Sequence, residues 1–281
     1  MQFTKMNGAG NSFIILDGIR GALDTARLPE LAQALCDPNF GVGADGLMAV
    51  LPADDADFTM RFYNSDGSLG EMCGNGARCI CRYGYETGLS GERPRVRTTA
   101  GIVTGQRVTA EQYRVRLPDA TVMQPDRVLT VDGRDIACAY VELGSPGLPH
   151  LAVELPGLAD AADDDLRALA RALRYHPALP KGANVNFYTL TGRDAVLLRT
   201  YERGVEDFTC ACGTGTGAVV SVLTLAGRVS GTAVRVKMRG GVLTMDVTAR
   251  DGAARDLFLT GPARLVVRGE VFPEELLKNE I

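Results

Sequence analysis

The chain is poor in the residues that most often declare a function. It has two histidines, His150 and His176, in 281 residues, which leaves little room for an imidazole-based metal centre. Its 30 Lys and Arg against 34 Asp and Glu leave a formal charge of −4. No basic face for a phosphate backbone is expected at that balance, so nucleic acid is not an expected partner. No apolar run reaches the roughly 18 residues of a membrane span; GAVVSVLTLAG (217–227) comes nearest, and no membrane association is expected. The opening MQFTKMNGAG has no charged-then-apolar leader, so a cytoplasmic location is expected. The seven cysteines are odd in number and contain no C-x-x-C. That argues against a disulfide framework and against a thioredoxin-like redox pair.

What is present is ordinary globular material: 46% hydrophobic and 23% charged residues, which excludes a disordered chain. The length suits two domains or one large one. Glycine, 33 residues, is well above the usual share of about 7% and points to tight turns or backbone-lined sites. Most segments read as short strands: FIILD (13–17), FTMRFYN (58–64), RVRTT (95–99), YRVRL (113–117), IACAYVEL (136–143), NVNFYTL (184–190), AVLLRTYE (195–202), AVRVKM (233–238), VLTMDV (242–247) and ARLVVRGEV (263–271). Helices are predicted over 28–36, 77–88, 163–176 and 217–228. Strands outnumber helices and do not alternate regularly with them, so the fold class is α+β. The two prolines of LPDATVMQPDR (117–127) make it the best domain boundary.

A weak internal repeat organises the rest. Cys73-Gly74-Asn75-Gly76 and Cys212-Gly213-Thr214-Gly215 share C-G-x-G, and each follows a strand and polar loop and leads into an apolar helical stretch. A cysteine just before a helix start lies where unpaired N–H groups and the helix dipole favour thiolate. The following backbone amides form a ready carboxylate site. Two such units face to face would hold a carboxylate with one sulfur on either side of the adjacent carbon. One thiolate could then remove a proton while the opposite thiol delivers one.

Blander readings stand beside it. The loops could be structural turns with inert thiols. Zinc is disfavoured because Cys73, Cys79, Cys81, Cys210 and Cys212 lack the usual pair spacing. Cys36 and Cys138 read as core, Cys79 and Cys81, two apart on different faces of a helix, as core or rim, and Cys210 lacks the following glycines. GVGADG (41–46) matches a dinucleotide fingerprint by letter but follows a helix rather than a strand. Lys181 reads as a solvated turn lysine, His150 as a half-buried histidine, His176 as a helix-end residue, and Asp163 to Asp165 as a helix start.

KMNGAGNSFIILD (5–17), RFYNSDGSLGEMCGNGARC (61–79), KGANVNF (181–187), YERGVEDFTCACGTGTGA (201–218) and GPARLVVRGEV (261–271) occur in one order. In that set the sequence resembles the diaminopimelate epimerase family, the pyridoxal-independent enzymes of bacterial lysine and cell-wall synthesis. The resemblance implies two pseudo-symmetric α+β domains, 1–118 with 267–281 returning to it, and 119–266. Each would wrap strands around a central helix, with the active site in the cleft between them. It implies that Cys73 and Cys212 are the acid/base pair. Gly74, Asn75, Gly213 and Thr214 would present amides to the reacting carboxylate. Asn11, Asn64, Asn184 and Arg203 would grip the substrate, with Glu202 near the reacting amino group and His150 as a supporting catalytic polar residue. A planar guanidinium suits a carboxylate, and asparagines suit a zwitterion. The resemblance further implies a small amino-acid substrate, no cofactor, no metal and a homodimer.

Three departures bear on the substrate. The family's G-N-P-H or G-V-P-H stretch is here Gly147-Leu148-Pro149-His150, putting Leu148 where asparagine often stands; a competing alignment through Gly144-Ser145-Pro146-Gly147 loses the histidine. Phe208 replaces a common glutamate, and Cys210 is an extra thiol. The departures keep open a related racemase acting on proline, hydroxyproline or histidine. A non-catalytic redox-sensing or binding protein is the third reading.

Overall fold

The computed structural model describes residues 1–70 and 73–272. Its contacts divide the chain into two units, Met1–Val115 with the segment from Gly261 onward, and Arg116–Thr260. In chain order the elements are β1 (Gln2–Gly8), β2 (Asn11–Asp17), α1 (Leu28–Cys36), β3 (Gly46–Leu51), β4 (Phe58–Asn64), α2 (Gly74–Glu86), β5 (Arg95–Thr98), β6 (Gly101–Arg107) and β7 (Gln112–Arg116). There follow β8 (Ala120–Val131), β9 (Arg134–Leu143), β10 (Leu148–Glu154), α3 (Asp163–Arg174), β11 (Asn184–Gly192), β12 (Ala195–Glu202), β13 (Asp207–Phe208), α4 (Gly213–Leu225), β14 (Val234–Met238), β15 (Gly241–Arg250), β16 (Ala253–Pro262) and β17 (Arg264–Glu270). This is the α+β, strand-rich class the sequence pointed to.

The C-G-x-G repeat is the visible part of a repeat of topology. In the first unit β1–β2 is antiparallel, β2–β3 parallel, β3–β4 antiparallel, β4–β5 parallel and β5–β6 antiparallel. In the second, β9–β10, β10–β11, β11–β12, β12–β14 and β14–β15 follow the same alternation. Parallel neighbours need a crossover, and helices supply it. The first crossover of each unit carries α1 or α3; the second carries α2 or α4. β17 adds to the first unit, antiparallel to β1; of the return segment expected over 267–281, residues 273–281 lie outside the described residues.

The two kinds of helix differ in how they are buried. In α1, Leu28, Leu31, Ala32, Leu35 and Cys36 form one buried stripe against Ile14, Leu16, Leu47 and Ala49. In α3, Leu166, Ala170 and Leu173 do the same against Leu151, Val153, Val185 and Phe187. Such spacing marks a helix lying on a sheet. By contrast α4 is apolar nearly all round, with Ala218, Val219, Val220 and Leu223 fully buried, and it touches β8, β9, β10, β11 and β15. It is the central helix of its unit; α2, touching β1, β2 and β6, holds that place in the other. Leu223→Ala would remove about 2–5 kcal/mol, because a wrapped helix cannot collapse onto the cavity.

One expectation needs correction, after a refinement of another. The stretch 117–127, expected as the boundary, follows directly on the division between the units and runs into β8, which begins at Ala120; its register with β9 shifts between Gln124 and Arg127. That bulge accommodates Pro125, which cannot donate to a ladder. The central helices also start earlier than predicted, at Gly74 and Gly213 rather than 77 and 217. Glycines are poor helix formers, by up to about 1 kcal/mol each, but close packing requires them here. An added Cβ would come within 2.3 Å of Met48 Cε at Gly76 and 2.2 Å of Asn186 Oδ1 at Gly215. Among the described residues no helix is long and apolar enough to cross a membrane.

Candidate active site

In the first unit, Cys73 is the N-cap of α2, with extended backbone at φ −107° and ψ 123°, so its sulfur stands at the end where helix N–H groups are unpaired. Asn75, in the first turn, donates from Nδ2 to Asn11 Oδ1 at 2.5 Å. Arg78, one turn on and fully buried, donates from Nη2 to Asn75 Oδ1 at 2.9 Å, from Nη1 to Gly74 O at 3.1 Å and from Nε to Pro262 O at 3.4 Å. Arg78 thereby sets the Asn75 amide, and Asn75 sets Asn11, whose own NH2 keeps no partner among the described residues. Asn64 closes β4; its Nδ2 donates to Ser68 Oγ at 2.9 Å, while Ser68 Oγ donates to Asp66 Oδ1 at 2.5 Å. The NSDGS loop is thus self-braced, and Gly67 at φ +83° makes its turn. Glu71 and Met72, just before Cys73, lie outside the described residues.

In the second unit, Cys212 is the N-cap of α4 and is buried. Gly215 N donates to its Sγ at 3.3 Å, and Thr214 Oγ1 lies 3.5 Å from the sulfur. An amide aimed at sulfur favours negative charge there. Beneath this turn runs a buried polar ladder: Thr200 Oγ1 donates to Asn186 Oδ1 at 2.9 Å, and Asn186 Nδ2 meets Leu151 O at 2.9 Å and His150 Nδ1 at 3.3 Å. His150 belongs to this ladder. Burial, then the Arg203 charge, push its imidazole down to about 3, so it is neutral at ordinary pH and is not a titrating acid or base.

Asn184 and Arg203 are tied together. Asn184 accepts from Arg203 N at 2.8 Å and donates to Pro149 O at 3.2 Å, so its amide braces the Glu202-Arg203-Gly204 turn against β10. The Arg203 guanidinium donates to Lys181 O at 3.2 Å and forms no ion pair among the described residues, which leaves a cation for a carboxylate. Glu202 ends β12 next to it. Burial raises its carboxyl above the ordinary range, and Thr209 Oγ1, donating at 2.9 Å, pulls it back.

The sequence singled out Asn184 but not Asn186, Thr200, Thr209 or Arg78. Asn186 was within reach: in NVNF, residues two apart share a strand face. Thr200 carries no local signal, because its partner Asn186 lies on another strand, and an arginine one turn into a helix, as Arg78 is, reads as a solvated residue unless its burial is known. The remaining cysteines separate from the two caps. Burial pushes Cys36, Cys79 and Cys81 up to about 12 and raises Cys138. Lys181 is exposed near Glu142, Asp165 caps α3 by accepting from Ala162 N at 3.3 Å, and Val42, Gly43 and Ala44 close the end of α1.

The two cysteine-capped turns, with their glycines, asparagines and ERG turn, invite comparison with known chains. The diaminopimelate epimerase family model matches residues 3–122 and 143–266. The chain belongs to the diaminopimelate epimerase family. A diaminopimelate epimerase of Archaeoglobus fulgidus is 38% identical over 98% of this chain and 97% of its own. One from Aquifex aeolicus is 36% identical over 98% and 99%. Among solved structures, a probable proline racemase from Agrobacterium radiobacter K84 superposes with TM-score 0.70 at 19% identity, over 96% of this chain and 92% of its own. A PhzF-family phenazine biosynthesis protein from Bacillus anthracis gives 0.70 at 16%, over 97% and 99%. These last two likenesses concern the fold. Within this diaminopimelate epimerase family chain, Phe208 packs edge-on against Tyr201 at 5.6 Å and tilted against Phe187 at 6.3 Å.

Proposed function

We propose that this isomerase interconverts LL- and meso-2,6-diaminopimelate by two-base proton exchange at one α-carbon, supplying lysine and peptidoglycan precursor. The observation that carries the reading is the repeated cysteine cap, one thiol at the amide-rich start of each central helix, in a chain of this family. In the forward direction one cysteine, as thiolate, takes the α-proton and becomes thiol. The electron pair left on carbon delocalises into the carboxylate, which the helix-start amides of Gly74 and Asn75, with those of Gly213 and Thr214, stabilise. The other cysteine, starting as thiol, delivers its proton to the opposite face and becomes thiolate. Charge and protons balance, and the reverse reaction exchanges the roles. Glu202 holds the reacting ammonium, Arg203 takes the far carboxylate, and Asn11 and Asn64 supply complementary donors and acceptors; Asn184 and His150 act through the elements they brace. The reading assigns no step to a cofactor or metal. A homodimer in the cytoplasm belongs to the same reading and rests on the family resemblance.

Proton NMR of the reduced protein with LL-diaminopimelate in deuterium oxide tests it. The α-proton signal should vanish as the meso isomer forms. A second reading, a racemase for another amino acid, is favoured by Leu148 where asparagine often stands. Exchange with proline or histidine but none with diaminopimelate would establish that reading and overturn the first.

A further inference from the structure

The second unit carries a cavity of about 420 Å³ whose walls include neither cysteine cap. Its volume falls in the range of small-molecule sites, roughly 300–1,000 Å³. Leu197 and Phe208, both part-buried, give it an apolar floor, with Leu198 and Met238 buried behind it. Arg199, Lys237 and Arg239 bring three cations to its walls, against the single carboxylate of Asp163. Asp163 is engaged by two of them, Arg199 at 3.2 Å and Arg239, and the neighbouring Asp207 is taken by Arg167. The Lys237 side chain has no hydrogen-bond or ion-pair partner among the described residues. The walls therefore carry an excess of positive charge around an apolar floor, a combination that suits an anion with a hydrophobic body.

The same walls are bonded to the candidate active site. Thr209, on the cavity wall, donates to Glu202 Oε2 at 2.9 Å. Thr216 Oγ1 donates to Cys212 O at 2.8 Å and packs 3.8 Å from Met238 Sδ. Gly240, following Arg239, donates from its backbone N to Cys210 O at 2.7 Å. Thr209 thus lies in the loop that ends in the Cys212 cap, Met238 touches the first turn beyond it, and the residue after Arg239 is bonded to Cys210 within it.

We propose that this cavity is a second binding site, for a small organic anion with an apolar body, and that its occupant acts on the reactivity of Cys212 through Thr209, Met238 and Gly240. The binding claim stands on the geometry of this unit and holds whichever amino acid the enzyme turns over. Anilinonaphthalene sulfonate is a suitable probe, titrated calorimetrically into the full-length protein at saturating diaminopimelate. One equivalent should bind. Lys237→Glu should weaken it roughly tenfold, as reversal of one ligand-facing charge does, and Lys237→Arg should retain wild-type affinity. The bound probe should also change the rate of Cys212 alkylation, followed on its peptide by mass spectrometry. Equal affinity for wild type and Lys237→Glu, or displacement by diaminopimelate, overturns the site. Binding with an unchanged alkylation rate overturns its connection to Cys212. Lys237 is exposed and unpartnered, so its substitution leaves the fold intact; Arg239→Gln, also exposed, gives an independent check by the same titration.

Discussion

Gly215 and Asn186 stand so close that a Cβ on the glycine would lie 2.2 Å from Asn186 Oδ1. The amide cannot swing away, because Thr200 Oγ1, Leu151 O and His150 Nδ1 hold both its ends. Gly76, its counterpart on α2, would clash with Met48 Cε, at 2.3 Å, the tip of a flexible thioether, and meet the Phe13 ring at an ordinary 3.5 Å. Gly215→Ala should therefore cost about 1–3 kcal/mol in urea unfolding, an overpacking cost that exceeds the helix-propensity gain of roughly 0.5–1 kcal/mol. Gly76→Ala should cost distinctly less. Equal losses would mean that the ladder under Cys212 is softer than its hydrogen bonds imply.

The thiols should sort by alkylation of the native protein. Cys36, Cys79 and Cys81 are buried with ionisation pushed up to about 12, so almost none is thiolate near neutral pH. Cys73 and Cys212 sit at helix starts, and Cys210 is half-buried. Brief iodoacetamide treatment followed by peptide mass spectrometry should mark Cys73, Cys210 and Cys212, and reach the others only after unfolding. Early labelling of Cys79 or Cys81 would show that α2 is not the closed central helix described here.

The helices and most strands were legible because their apolar spacing is local. α1 matches its predicted bounds, 28–36, residue for residue, since one stripe of leucines fixes it. Among the strands that escaped, two carry a pattern with two meanings. β3 is buried on both faces along nearly its whole length, so GLMAVL shows no alternation, and Pro125 disguised β8. The site divided along the same line. Cysteine caps, glycines and the ERG turn are contiguous in sequence and could be read. The Arg78–Asn75–Asn11 chain and the Thr200–Asn186–His150 ladder join residues from separate elements, and only folding brings them together.

His150 makes stability depend on pH in a determined direction. Its folded ionisation is held near 3, against an ordinary value of 6.5. Above the ordinary value the imidazole is neutral in both states and the full stability is present. As pH falls below it, the unfolded chain takes up a proton that the folded one refuses. Stability should then drop by up to about 1.4 kcal/mol per pH unit from this residue. His150→Gln should flatten the slope between pH 6 and 4 in urea titrations. An unchanged slope would mean that the buried imidazole is protonated in the fold after all.

Thr209 should set the acid limb of the activity profile. Burial raises the Glu202 carboxyl, and the Thr209 hydroxyl, by donating to Oε2, favours the ionised form and lowers it. If ionised Glu202 holds the substrate ammonium, activity rises with pH as that carboxyl loses its proton. Thr209→Val removes the donor and leaves burial unopposed, so the carboxyl must titrate at still higher pH. The acid limb of kcat/KM should move upward, the two enzymes should converge at pH well above both limbs, and Thr209→Ser should restore the original profile. A purely structural role would lower kcat/KM by the same factor at every pH. A limb that stays in place would remove Glu202 from the set of groups whose charge the reaction needs.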